Sequence, residues 1–219
     1  MLFRSTPAFD RVAREGLRFA RAYTPNAKCA PSRATVLTGR NSWQLEAAGD
    51  HGGFYPAGYR TFMEALGANG YVTGFTGQGW GPGDPGKVDG KARLLTGPAF
   101  SELKTTPPTS NISAVDYAAN LAAFLKTKPA DQPFCFWYGA HEPHRAYEYG
   151  SGVSVGHKSP AQIDRVPSFW PDTATVRNDM LDYALEIEYF DRQLGKMLDL
   201  DRKSTRLNSS HVALSRMPS

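Results

Sequence analysis

"TFMEALGANGYVTGFTG", residues 61–77, decides the fold class. Phe62, Ala65 and Leu66 recur at helical spacing, and Gly70 stands where a helix ends in a left-handed cap. "YVTGFTG" follows at once and reads as a strand. Helix, glycine and strand with no slack between them make one half of an α/β unit. The same alternation returns downstream. "SAVDYAANLAAFLKT" (113–127) is amphipathic at helical period, with Val115, Ala118, Ala119, Ala122 and Phe124–Leu125 on or near one face. "QPFCFWYGA" (132–140) is then a continuous apolar run, as expected of a strand buried on both faces. Upstream, Thr6-Pro7 opens a helix over about 7–15 that Gly16 stops, and "PSRATVLTG" (31–39) is a short helix ended by Gly39. "GLRFARAYT" (16–24) alternates weakly, as a short strand would. "TVRNDMLDYALEIEYFDRQLGKMLDL" (175–200) is the longest helix, with Met180, Tyr183, Ala184, Ile187, Phe190–Asp191 and Leu194 along one stripe. The expected fold class is therefore α/β, a mostly parallel sheet flanked by helices, and residues 77–112 form a loop too long for an idle connector.

Composition narrows the function classes. The 219 residues are 41% hydrophobic and 12% aromatic, enough for a packed core. A net charge of +4 suggests nucleic acid, but the last 19 residues hold a surplus of three positive charges. What precedes them is nearly neutral, so no nucleic-acid partner is expected. No run approaches the ~20 apolar residues needed to cross a bilayer, so no membrane partner is expected either. The opening segment shows no signal peptide and reads as internal to a larger domain. Two cysteines are too few for a disulfide framework, and Cys135 lies within the apolar strand as an inert buried thiol.

Cys29 is placed differently. In "KCAPSRATVLTGR" (28–40) it stands at the mouth of a short helix, facing free backbone N–H groups and the positive end of the dipole. Arg33, four residues on, lies on the same face with a planar fork of donors. The pair reads as a half-buried cysteine beside a surface arginine, as a dipole-activated thiolate, or as an anion site.

The stretch resembles the signature of the sulfatase family, Cys-x-Pro-Ser-Arg followed by Leu-Thr-Gly. "STPAFDRVAREGLRFARAYT" (5–24) resembles the segment that precedes it in that family, and together the two span about 35 residues. The resemblance implies a partial alkaline-phosphatase-like domain over residues 1–200. It implies that a formylglycine-generating enzyme oxidises Cys29 to formylglycine, whose hydrate supplies the nucleophile. It implies that Arg33 orients that group and balances charge on the transferring sulfate. "FWYGAHEPHR" (136–145) resembles the family's strand followed by His-x-Pro-His, which implies a proton-donating, sulfate-contacting His144. His141 would support it, and Arg145 would meet an acidic substrate. "YVTGFTGQGWGPGD" (71–84) departs from the pattern: Gln78 stands where the family carries lysine and Trp80 where it carries histidine. Glutamine can hydrogen-bond sulfate without charge, and tryptophan offers an indole N–H or a stacking face to a sugar.

The family also implies Ca2+ on an Asp-Asp and an Asp-Asn pair. No metal ligand is expected in this chain, since the first pair belongs before "TPAFDRV" and the second after "FDRQLGKMLD". There the sequence changes character. "DRKSTRLNSSHVALSRMPS" (201–219) resembles a translated sequencing-library adapter and is expected to be a disordered artefact on an open-ended fragment. Three readings stay open: a formylglycine-dependent hydrolase of sulfated sugars, nearest to the N-sulfoglucosamine type; a non-catalytic binder of sulfated ligands, favoured by Gln78 and Trp80; and a Cys/His thiol hydrolase. The fragment itself is expected to be inactive. The family implies a periplasmic, secreted or lysosomal setting.

Overall fold

The computed structural model describes residues 4–205 and 213–214. In chain order its elements are helices α1 (Pro7–Glu15), α2 (Cys29–Thr38) and α3 (Phe62–Ala68), strand β1 (Val72–Gly77), and the short strands β2 (Lys87–Val88) and β3 (Lys91–Ala92). Then come α4 (Tyr117–Thr127), β4 (Phe134–Gly139), the single turn α5 (Ser151–Ser154), α6 (Ala174–Thr205) and β5 (Ala213–Leu214). The chain divides into two compact units.

One unit comprises Phe19–Leu103, Val115–Ala140 and Asp199–Ser219 and contains the sheet, in the order β1-β4-β5. β1 and β4 pair in parallel from Val72↔Phe134 to Gly77↔Gly139, so the two strands end side by side on glycines. All six residues of β4 are buried, as its apolar run predicts. Phe124 of α4 packs against Phe134 and Phe136 with centroids 5.6 and 4.8 Å apart, and Phe100 meets Phe124 edge-on at 5.3 Å. A second cluster joins Leu37, Met63, Cys135 and Trp137. Met63 thus fills the centre of α3's inner face, and Phe62 and Leu66 flank it. Thr61 and Glu64 close a capping box at the start of α3, and Asp116 caps α4 through the Ala119 N–H. Cys135 is buried, as expected of it.

The other unit comprises Met1–Arg18, Lys104–Ala114 and His141–Leu198. α1 has the expected bounds, but Thr6 does not cap it with its side chain. Asp191 of α6 does so from across the unit, accepting from the N–H groups of Ala8 (3.1 Å) and Phe9 (2.8 Å). Ile163, Val166 and Leu181 form an apolar cluster under the long connection that precedes α6.

One expectation is corrected. Residues 16–24 form no strand, and Leu17, Phe19 and Tyr23 are exposed. A strand is held by a neighbour's backbone, and weak alternation provides none. The tail, residues 201–219, is described only in part. Residues 201–205 continue α6, and Ala213–Leu214 pair in parallel with Trp137 and Tyr138 at the open edge of β4. The remainder of 201–219 lies outside the described residues.

Candidate functional site

α2 begins two residues earlier than the expected start at Pro31. Lys28 is the N-cap, Cys29 is the first helical residue, and Pro31 takes the third place, where it contributes no N–H. No side chain caps this end. The first-turn N–H groups of Cys29 and Ala30 have no hydrogen-bond partner among the described residues. Gly39 ends the helix, as expected, and does so in a left-handed cap at φ 69°.

One turn on, Arg33 is 5% exposed. Its Nη1 donates to the Gln78 backbone oxygen and its Nη2 to Gln78 Oε1, each at 2.9 Å. Nε is buried without a partner. Among the described residues the guanidinium pairs with no carboxylate. Burial lowers its pKa to about 10, while charge on Cys29 acts in the opposite direction. A buried cation held by neutral oxygens, with one N–H to spare, can accept an anion as a partner.

Gln78 follows β1 directly and ties the strand ends together. Its N–H donates to the Gly139 carbonyl at 2.6 Å, its Nε2 to the Gly81 carbonyl at 3.2 Å, and its own carbonyl also accepts from Trp137 Nε1 at 3.1 Å. Gly139 makes this convergence possible. A Cβ there would stand 2.0 Å from the Gln78 oxygen and 3.0 Å from Arg33 Nη1. Cys29, Arg33 and Gln78 therefore gather in one unit at the carboxyl ends of parallel strands, the usual place for an α/β site. Trp80 is in the same unit but half-buried. Its ring packs edge-on to Tyr55 at 5.1 Å, against the Leu37–Met63–Cys135–Trp137 cluster and against another formed by Ala34, Leu45, Ala48, Tyr55 and Leu95, and its Nε1 is buried without a partner. It is a core residue with a spare N–H rather than an open stacking face.

The structure adds a residue that the sequence did not single out. His51 Nε2 lies 3.2 Å from Cys29 Sγ. Twenty-two positions separate the two, and no local spacing links them. The only hint was a histidine before a Gly-Gly pair.

His141, His144 and Arg145 belong to the other unit. The His144 N–H closes a turn onto the His141 carbonyl at 3.0 Å, and His144 Nδ1 bonds the Arg145 carbonyl. Arg145 is exposed and forms a bidentate pair with Asp179 at 2.8 and 2.6 Å, its guanidinium lying 4.9 Å from the Tyr147 ring centre. An acidic ligand would have to compete with Asp179 for it. Among the described residues no group of three or more His, Cys, Asp or Glu side chains could hold a metal ion. The residues described thus do not fit the calcium that the resemblance implies.

The sulfatase family profile matches residues 2–214. The chain belongs to the sulfatase family. Among relatives, this sulfatase-family chain is 30% identical over 154 residues to N-acetylglucosamine-6-O-sulfatase of Bacteroides thetaiotaomicron, covering 64% of this chain and 26% of that protein. It is 39% identical over 203 residues to human arylsulfatase A, covering 71% and 39%. With human N-sulphoglucosamine sulphohydrolase it shares 26% identity over 232 residues, covering 95% and 44%. The chain thus spans less than half the length of each. Among solved structures, yidJ of Bacteroides fragilis, a candidate sulfatase, superposes with a TM-score of 0.65 at 17% identity, covering 96% of this chain and 56% of that one. That similarity carries the fold, which is the alkaline-phosphatase-like α/β architecture expected.

Proposed function

We propose that this chain carries the nucleophile half of a sulfuric ester or sulfamate hydrolase acting on sulfated carbohydrate, with Cys29 matured to formylglycine by a formylglycine-generating enzyme. One observation carries the reading: Arg33, buried, paired with neutral oxygens and spare at Nε, one helical turn from Cys29 at an uncapped helix start. Formylglycine would supply a hydrated carbonyl, an oxygen nucleophile for sulfur. The chain's own groups do the rest. The N–H groups of Cys29 and Ala30 offer two donors to an oxyanion, and Arg33 offers charge in a setting where burial strengthens it. Gln78 aligns the guanidinium and adds no charge of its own.

His144 is proposed as proton donor to the leaving group, with Nδ1 engaged at the Arg145 carbonyl and the ring orientation fixed thereby. His141 would support the turn, and Arg145 would meet an acidic substrate on release from Asp179. The sulfated-sugar class rests on the relatives named above. No step is assigned to calcium. Without a metal cage among the described residues, the chain by itself is expected to turn over sulfate esters little or not at all.

Coexpression with a formylglycine-generating enzyme tests the reading. The tryptic peptide bearing residue 29 should lose about 18 Da, the change expected when the thiol becomes an aldehyde, and Cys29→Ala should show no such change. A residue 29 that stays a thiol while a sulfated glycan binds would favour the non-catalytic binder. The Cys29–His51 contact favours a second reading, a thiol hydrolase, which an unmodified and rapidly alkylated Cys29 would support.

A further inference from the structure

His51 is held in place from both sides. Its own N–H donates to Asp50 Oδ1 at 2.7 Å. The next residue, Gly52, donates to the Pro82 carbonyl at 3.1 Å, Asp84 N–H to the Gly53 carbonyl at 3.0 Å, and Tyr55 N–H to the Asp84 carbonyl at 2.8 Å. A Cβ at Gly53 would meet the Ala47 oxygen at 2.1 Å, so the chain is pressed closely against the preceding turn. The imidazole therefore projects from a backbone pinned by three hydrogen bonds to residues 82–84, and it is exposed to solvent. Its Nε2 is 3.2 Å from the one side-chain atom of α2 that chemistry would act on.

We infer that His51 is the proton acceptor for residue 29. Nε2 takes the proton of whichever acid occupies the Sγ position: the thiol in the unmodified chain or, on the reading proposed above, a hydroxyl of the hydrate. The bonding pair of the S–H or O–H stays on the heteroatom, the imidazole becomes imidazolium, and the exposed ring passes the proton to water. Arg33 then faces the resulting negative charge, consistent with the Coulombic coupling between Cys29 and Arg33. Only the hydroxyl case depends on the formylglycine reading; the thiol case does not.

Two measurements on the full chain separate them. In the unconverted protein, iodoacetamide alkylation of Cys29 is followed at neutral pH by peptide mass, and the thiolate is the reactive form. His51→Gln should slow it by about fivefold to tenfold. His51→Ala should do the same, and added imidazole should restore the rate in that variant more than in the parent. A purely structural role would leave imidazole without effect. In the converted protein, oxime formation with an alkoxyamine requires the hydrate to lose water, and His51→Gln should slow that step by a similar factor. Equal alkylation rates in parent and both variants would overturn the inference. So would slow variants that imidazole does not rescue, since they would point to a disturbed loop. If no aldehyde forms at residue 29 while alkylation still depends on His51, the formylglycine reading fails and the proton acceptor stands.

Discussion

Arg33 donates to Gln78 twice, once to its backbone oxygen and once to Oε1, and both contacts measure 2.9 Å. One residue thus holds the guanidinium with neutral acceptors while fastening the end of β1 to that of β4. The charge is stabilised enough to be buried and is not cancelled, as the sulfate-binding role proposed for Arg33 requires.

Gln78→Lys would replace an acceptor by an ammonium group against that guanidinium. A charge-assisted hydrogen bond would be lost at a cost of about 1.5–3 kcal/mol, with repulsion added. The variant should melt several degrees lower than the parent in sulfate-free buffer. Added sulfate should raise its melting temperature more than it raises the parent's, because an anion between the two cations relieves both. Thermal melts across a sulfate series at constant ionic strength are the check. A variant as stable as the parent without sulfate would show that this is no anion site.

Gly139→Ala tests the same convergence through shape. The added methyl would lie 2.0 Å from a backbone oxygen that cannot swing away, as a flexible side-chain tip could. Overpacking of this kind typically costs about 1–3 kcal/mol. The melting temperature should fall, and the response to sulfate should weaken with it as Arg33 is pushed from its position. A neutral substitution would mean that the strand ends are looser than the register implies.

Much of this fold was legible where the signal is local. The bounds of α1, the Gly39 stop and the step from α3 into β1 each follow from a cap or a periodicity contained in about ten residues. β4 announced itself by six consecutive apolar positions. What escaped depends on partners remote in sequence. Asp191 caps α1 from 182 positions away or more, and no pattern near Thr6 could show it. Cys29 and Arg33 were legible as a pair because α2 itself sets their spacing. The hold of Gln78 on Arg33 needs the register of β1 with β4, and the approach of His51 to Cys29 needs the pairing of residues 52–55 with 82–84. Weak alternation in 16–24 misled for the complementary reason: it describes a strand but supplies no neighbour.

Asp191→Ala should destabilise the unit that contains α1. It would remove an acceptor from two first-turn N–H groups, and losing a cap costs about 1–2 kcal/mol. Asp191→Asn keeps one carbonyl oxygen and should lose less. Amide hydrogen exchange at Ala8 and Phe9 reads the effect where it originates. Protection that survives in Asp191→Ala would show that Thr6 or water caps the helix instead.

Glu186 makes stability depend on pH. The residue is 2% exposed and its Oε2 is buried with no hydrogen-bond partner. Burial, reinforced by the charge of Glu142, raises its pKa from an ordinary 4.5 to about 8. Between those values the folded chain holds a proton that the unfolded chain has released. Stability should therefore fall as pH rises through that window, by at most about 1.4 kcal/mol per pH unit from this group. Glu186→Gln mimics the protonated form and should flatten the slope. Urea midpoints at about pH 5, 6.5 and 8 would show the parent declining and the variant nearly level over the same span. Parallel slopes would place the pH response elsewhere, with Asp191, whose carboxyl burial also pushes upward, as the next group to test.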